Sequence, residues 1–144
     1  MTIELPAEAR RLLDGKNFAT VATIDPDGRP QTSVVWMDRE GDSILFSSTT
    51  TRRKVRNLAR DPRISLTVLD ATNPYRSVDI QGTAELIEDP GKSLPLRLSR
   101  KYLGEQPPPE PDTIRRFIVR VTPERVTGFS APDPSKSDAG RSAG

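Results

Sequence analysis

Residues 18–48 read FATVATIDPDGRPQTSVVWMDREGDSILFSS. Phe18 to Ile24 is rich in β-branched side chains, which favour a pleated conformation. Asp25-Pro26-Asp27-Gly28 carries turn chemistry, and Pro30 to Asp38 resumes an extended pattern. Arg39-Glu40-Gly41-Asp42 turns the chain again, and Ser43 to Ser47 supplies a third apolar strand. Three strands on two short turns predict an antiparallel meander.

Working outward, Val55, Leu58 and Ala59 recur at helical spacing, so a helix is expected from about Thr51 to Arg60, ended by Asp61-Pro62. Arg63 to Leu69 is a fourth strand, and Asn73-Pro74-Tyr75 a loop. Arg76 to Glu88 is a long fifth strand in which Val78, Ile80, Gly82, Ala84 and Leu86 alternate with mostly polar residues. Gly82 inside it marks a bulge or bend. Lys92 to Leu103 reads as a helix whose regular part begins near Leu94, because Pro95 restricts its start. Gln106 to Pro111 (QPPPEP) is a stiff connector. Arg115 to Val121 is a sixth strand, extended by Arg125 to Phe129, and Pro6 to Leu13 is a short helix stopped at Gly15. The expected fold is mainly β, a small antiparallel barrel of six strands with short peripheral helices. It occupies residues 1–130 as a single domain. Residues 131–144 lack large apolar side chains and are expected to form a disordered tail.

The chain has 144 residues, a net charge of +2, and neither histidine nor cysteine. Those absences remove cysteine nucleophiles, Ser-His-Asp triads, histidine bases and the usual zinc ligand sets. No metal site is expected. No apolar run approaches the roughly 20 residues of a membrane span, and no signal-peptide pattern opens the chain. The expected setting is cytoplasmic. If such a chain is an enzyme, a cofactor supplies the chemistry that its side chains lack.

Ser47-Ser48-Thr49-Thr50-Thr51-Arg52-Arg53-Lys54 lies where the third strand should give way to a helix. A helix start carries partial positive charge and unpaired N–H groups, so cations there are unfavourable unless an anion joins them. Hydroxyls followed by cations at that point suit a phosphate. The competing reading is a solvated charged face. On the second strand, Thr32, Val34 and Trp36 share one face, and Gln31, Ser33 and Val35 the other. Trp36 reads either as a core or interface aromatic or as a wall beside a flat ring. Tyr75 and Arg76 read either as a surface turn or as the rim of a ligand site. With few aromatics for base stacking, nucleic acid is not expected.

Together, FATVATIDPDGRPQTSVVW, ILFSSTTTRRKVRNLARDPRISL and NPYRSVDIQGTAELIED resemble, in this order, the pyridoxamine 5'-phosphate oxidase-like split-barrel family. The chain looks closest to the actinobacterial branch that uses the deazaflavin coenzyme F-420. The resemblance implies a six-stranded split barrel forming a homodimer, with cofactor sites at the interface. It implies a phosphate held by Ser47, Ser48, Thr49, Arg52, Arg53 and Lys54, and a ring system against Thr32, Ser33 and Val34. Trp36 falls on the substrate side, and Tyr75 and Arg76 reach the site from the other subunit. The implied activity is hydride transfer between reduced F-420 and a small unsaturated substrate. FMN is the alternative cofactor, and a non-catalytic carrier of either cofactor is the alternative role. The further motifs of true pyridoxamine phosphate oxidases are missing, so that activity is not implied.

Overall fold

The structure, a computed structural model, describes residues 3–130 and Ser135. The expected tail, apart from Ser135, therefore lies outside the described residues. In chain order the elements are α1 (Ala7–Asp14), β1 (Ala19–Ile24), β2 (Pro30–Val35), β3 (Asp38–Glu40), β4 (Ser43–Thr49), α2 (Arg53–Arg60), β5 (Arg63–Leu69), β6 (Arg76–Glu88), α3 (Ser93–Leu103) and β7 (Arg116–Ser130). The strands form one sheet in the order β2-β1-β5-β6-β7-β4-β3, antiparallel throughout.

The sheet rolls into a split barrel, and its ends show why. β2 and β3 are its two opposite edges, yet only Trp36 and Met37 separate them in the chain. Three Cα steps reach about 11 Å, so the two edges lie side by side. Apolar side chains fill the interior, with Phe46, Ile44, Met37, Val68, Ile80, Val119 and Val121 fully buried.

The architecture matches the expected class, with seven strands instead of six. The expected second strand, Pro30 to Asp38, breaks at Trp36-Met37, so the second turn joins β3 to β4 and the predicted three-strand meander does not form. Met37 is the cause. Its side chain enters the core, and its backbone groups bond to α3 instead of to a strand. The Met37 N–H donates to the Tyr102 hydroxyl at 3.2 Å, and the Met37 carbonyl accepts from Lys101 Nζ at 2.7 Å. With both groups satisfied this way, the ladder has no reason to continue through Met37.

α3 lies outside the barrel against a second apolar cluster of Leu45, Leu94 and Leu98, with Trp36, Tyr102 and Ile118. Its start is capped by the Asp89 carboxylate, which accepts from the Ser93 and Leu94 N–H groups at 3.0 Å each. Pro95 falls in the first turn, where no N–H is needed. α2 sits at the rim with Val55 and Leu58 buried, while Asn57 takes the third inward position expected of Ala59. Among the described residues, no helix is long and apolar enough to cross a membrane.

Candidate cofactor groove

Strand β4 alternates between two environments. Ile44, Phe46 and Ser48 are buried, the first two in the barrel core, while Ser47 and Thr49 stay partly open on the other face. Between that face, the start of α2 and the flank of α3 runs a groove of about 340 Å3. Val34, Trp36, Ser47, Ser48, Thr49, Arg52 and Lys54 line it on the barrel side. These are most of the residues expected at a cofactor site, gathered in one place.

The cations of residues 52–60 divide into two groups. Arg53 makes a bidentate ion pair with Asp25, with Nε–Oδ1 at 2.8 Å. Arg56 donates to the Thr51 carbonyl, and Arg60 to the Ile24 carbonyl. Arg52 and Lys54 form no ion pair with any described carboxylate. Lys54 is nearly buried, and its Nζ donates to the Ser33 hydroxyl at 3.2 Å. Burial first, and the Arg52 guanidinium second, push the Lys54 ammonium below the usual lysine range. No side chain caps α2. A helix start without a cap, beside two cations without a counter-charge, is a setting that an anion stabilises. The donors present fit a phosphate: hydroxyls at Ser47, Ser48 and Thr49, a guanidinium at Arg52 and an ammonium at Lys54.

Arg53 is thus placed as a strut. Asp25 accepts from both Arg53 and Asn57 Nδ2, and Asn57 Nδ2 also donates to Thr23 Oγ1 at 3.0 Å. This network, buried at Asp25, Asn57 and Thr23, ties the β1–β2 turn to the helix that carries Arg52 and Lys54. The Asn57 and Arg53 hydrogen bonds hold the Asp25 carboxyl below the usual carboxylate range. A depressed carboxyl stabilises the fold above its unfolded pKa, and the contribution fades as pH falls through the folded value. Asp25→Asn should therefore melt below the wild type at pH 7, and the gap should begin to narrow in thermal scans below about pH 4 and close as pH falls through the lowered folded value. A gap that is constant across pH would show that Asp25 acts only by shape.

Thr32 is exposed on the same face of β2 as Val34 but does not line the groove, and Ser33 acts by holding Lys54. Trp36 lines the groove and stacks on Tyr102, with ring centroids 5.0 Å apart and planes within 5°. Tyr75 and Arg76 stand at the start of β6 and do not line this groove. Tyr75 is exposed, and Arg76 is ion-paired with Glu8 at 3.2 Å and Asp70 at 3.5 Å.

The opposite wall was not foreseen. It consists of Pro95, Leu98, Ser99 and Leu103 from α3, Pro107 and Pro108 from the connector, and Arg116 from β7. Arg116 pairs in register with Thr49, and its Nη1 donates to the Ser47 hydroxyl at 3.3 Å. That juxtaposition bridges nearly half the chain, and only the strand pairing reveals it.

A split barrel of this topology places the chain in the class of flavin-binding split-barrel proteins. The chain belongs to the pyridoxamine 5'-phosphate oxidase family, whose model matches residues 5–130. It is 32% identical to a solved structure described as an F-420 reductase, covering 85% of this chain and 98% of that one, at a TM-score of 0.78. A conserved hypothetical protein from Mycobacterium tuberculosis shares the fold at 24% identity and a TM-score of 0.73, over 93% of this chain and 89% of that one. General stress protein 26 from Bacillus anthracis shares it at 14% identity and a TM-score of 0.64, over 85% and 91%.

Proposed function

We propose that the protein is an F-420-dependent oxidoreductase that reduces a small unsaturated organic substrate. The observation that carries this reading is the pair Arg52 and Lys54, cations without a carboxylate partner among the described residues at an uncapped helix start. The 32% identity to an F-420 reductase favours the deazaflavin over FMN. The bound cofactor would supply the hydride chemistry. The chain's own residues bind and orient: Arg52, Lys54 and the Ser47–Thr49 hydroxyls hold the phosphate, and Val34 and Trp36 offer apolar surface to a flat ring. Ser33 fixes Lys54, and the Asp25–Arg53–Asn57 network fixes the helix beneath it.

A titration of the purified protein with F-420 and with FMN tests the choice of cofactor. F-420 is expected to bind at least about tenfold more tightly, a difference of about 1.4 kcal/mol. Tighter FMN binding would move the protein to the flavin-using side of the family, and binding of neither would remove the cofactor reading.

One observation favours the second role, a carrier without turnover. Among the described residues, the groove of a single chain is lined by no carboxylic acid and no tyrosine, and its one ammonium, Lys54, is engaged in holding the phosphate, which leaves no separate proton donor for a reduced substrate. A homodimer would supply one if the partner's copy of the 75–76 loop met this groove. The outer face of the β1, β2 and β5 region suits such a contact, because Phe18, Val34 and Leu69 are 55%, 64% and 47% exposed there. Sedimentation at micromolar concentration should give a dimer, and Val34→Asp should shift it toward monomer. A monomeric wild type would sink the interface site. Consumption of reduced F-420 with enones or quinones separates the enzyme from the carrier.

A further inference from the structure

Arg116 and Lys92 form a second cationic site, and the chain's own Glu110 fills it. Arg116 Nε and Nη2 meet the two Glu110 carboxylate oxygens at 3.0 and 2.9 Å, a fork-to-fork pair. Lys92 Nζ lies 3.0 Å from Glu110 Oε2. The third guanidinium nitrogen, Nη1, is the one that donates to Ser47 on the groove wall. Arg116 thus separates the groove from a second cavity of about 390 Å3, lined also by Thr50, Lys92, Asp112 and Phe117. Of the other acids lining this cavity, Glu88 pairs with Arg115 at 3.1 Å and Asp89 caps α3, while Asp112 is exposed at its edge.

The two partners of this contact are anchored very differently. Arg116 is fixed in a strand, with its carbonyl accepting from the Asp89 N–H and its side chain part-buried. Glu110 rides on an exposed connector whose three successive prolines, Pro107, Pro108 and Pro109, offer no N–H groups. Apart from Glu110, few bonds hold that connector: the Ser99 hydroxyl donates to the Glu105 carbonyl, and Lys92 Nζ to the Pro111 carbonyl. Segments with few anchors open locally at low cost.

We propose that Arg116 and Lys92 form a carboxylate-binding subsite beside the cofactor groove, closed by Glu110 and opened when the carboxylate of an acidic ligand displaces it. The chemical class follows from the present occupant, since a planar guanidinium fork that seats Glu110 matches the geometry of another carboxylate. This rests on reading the groove as a ligand site. An internal competitor reduces apparent affinity by the fraction of molecules in which the site is open. A connector closed nine-tenths of the time conceals about tenfold of affinity.

Glutarate is a suitable probe, with glutaramide as its neutral control and inorganic phosphate as a probe of Arg52 and Lys54. Trp36, the sole tryptophan, lines the groove and reports binding by fluorescence. Glutarate should bind Glu110→Gln about tenfold more tightly than wild type, lose its binding in Arg116→Met, and bind Arg52→Ala as it binds wild type. In the wild type, glutarate but not glutaramide should speed cleavage after Glu105 by a glutamate-specific protease, which needs no variant to fold. Equal affinity in wild type and Glu110→Gln, retained binding in Arg116→Met, or unchanged cleavage would each overturn the subsite. Failure of the cofactor reading shows separately, as absent phosphate binding with the glutarate pattern intact.

Discussion

Gly82→Ala is expected to destabilise the protein by about 3 kcal/mol, a large loss for one methyl group. A Cβ at Gly82 would lie 2.2 Å from the Thr122 carbonyl oxygen, 3.0 Å from the Thr122 carbonyl carbon and 3.2 Å from Pro123 Cα. All three are backbone atoms of the neighbouring strand, so no side chain can swing aside. The β6–β7 register shifts between Gln81 and Gly82, leaving Glu124 as the extra residue on β7. Inward positions on β7 are Val119, Val121 and Pro123 before this bulge, and Val126 after it. Relief by sliding the strands would turn side chains to the wrong face. Urea unfolding measures the effect, and a loss below about 0.5 kcal/mol would show that the strands part there at little cost.

The second large effect concerns binding. Arg52→Ala combined with Lys54→Met should weaken cofactor affinity more than about a hundredfold, since each charged hydrogen bond to phosphate is worth roughly 1.5–3 kcal/mol. The fold should be preserved. Arg52 is exposed, and removing the Lys54 charge relieves a buried ammonium that has no carboxylate beside it. Isothermal titration with F-420 reads the loss, and a melting curve confirms folding. Arg53→Ala supplies the contrast, because it breaks the Asp25 ion pair and should lower the melting temperature more than it lowers affinity. Comparable affinity in the double variant and the wild type would move the phosphate away from the β4–α2 junction.

The sequence exposes local features and conceals distant ones. β-Branched runs, turn residues and the helical spacing of Val55 and Leu58 located nearly every element. Gly82 announced its bulge because only a residue without Cβ suits such an approach. The break at Trp36-Met37 was illegible, since an uninterrupted β-like run gives no sign that Tyr102 and Lys101 will take the Met37 backbone bonds. The cations after β4 were visible as a group, but not which would remain without a carboxylate. Asp25 decides that from a turn 28 residues earlier, by taking Arg53. Arg116 and the proline connector reach the groove only through the β4–β7 pairing, which no local pattern encodes.

The barrel's seam is a covalent dipeptide and not a hydrogen-bonded ladder, and α3 is its clasp. Tyr102 and Lys101 fasten Met37, Arg97 grips Asp38 at 2.8 Å, and Leu98 and Leu103 of the same helix wall the groove. Lining and latch are therefore one rigid part. A ligand that wedges α3 away from β4 strains the cylinder's closure, and whatever tightens the closure narrows the space for the ligand. By linkage the two free energies are reciprocal, which makes the melting temperature of this barrel a gauge of how well its groove is filled.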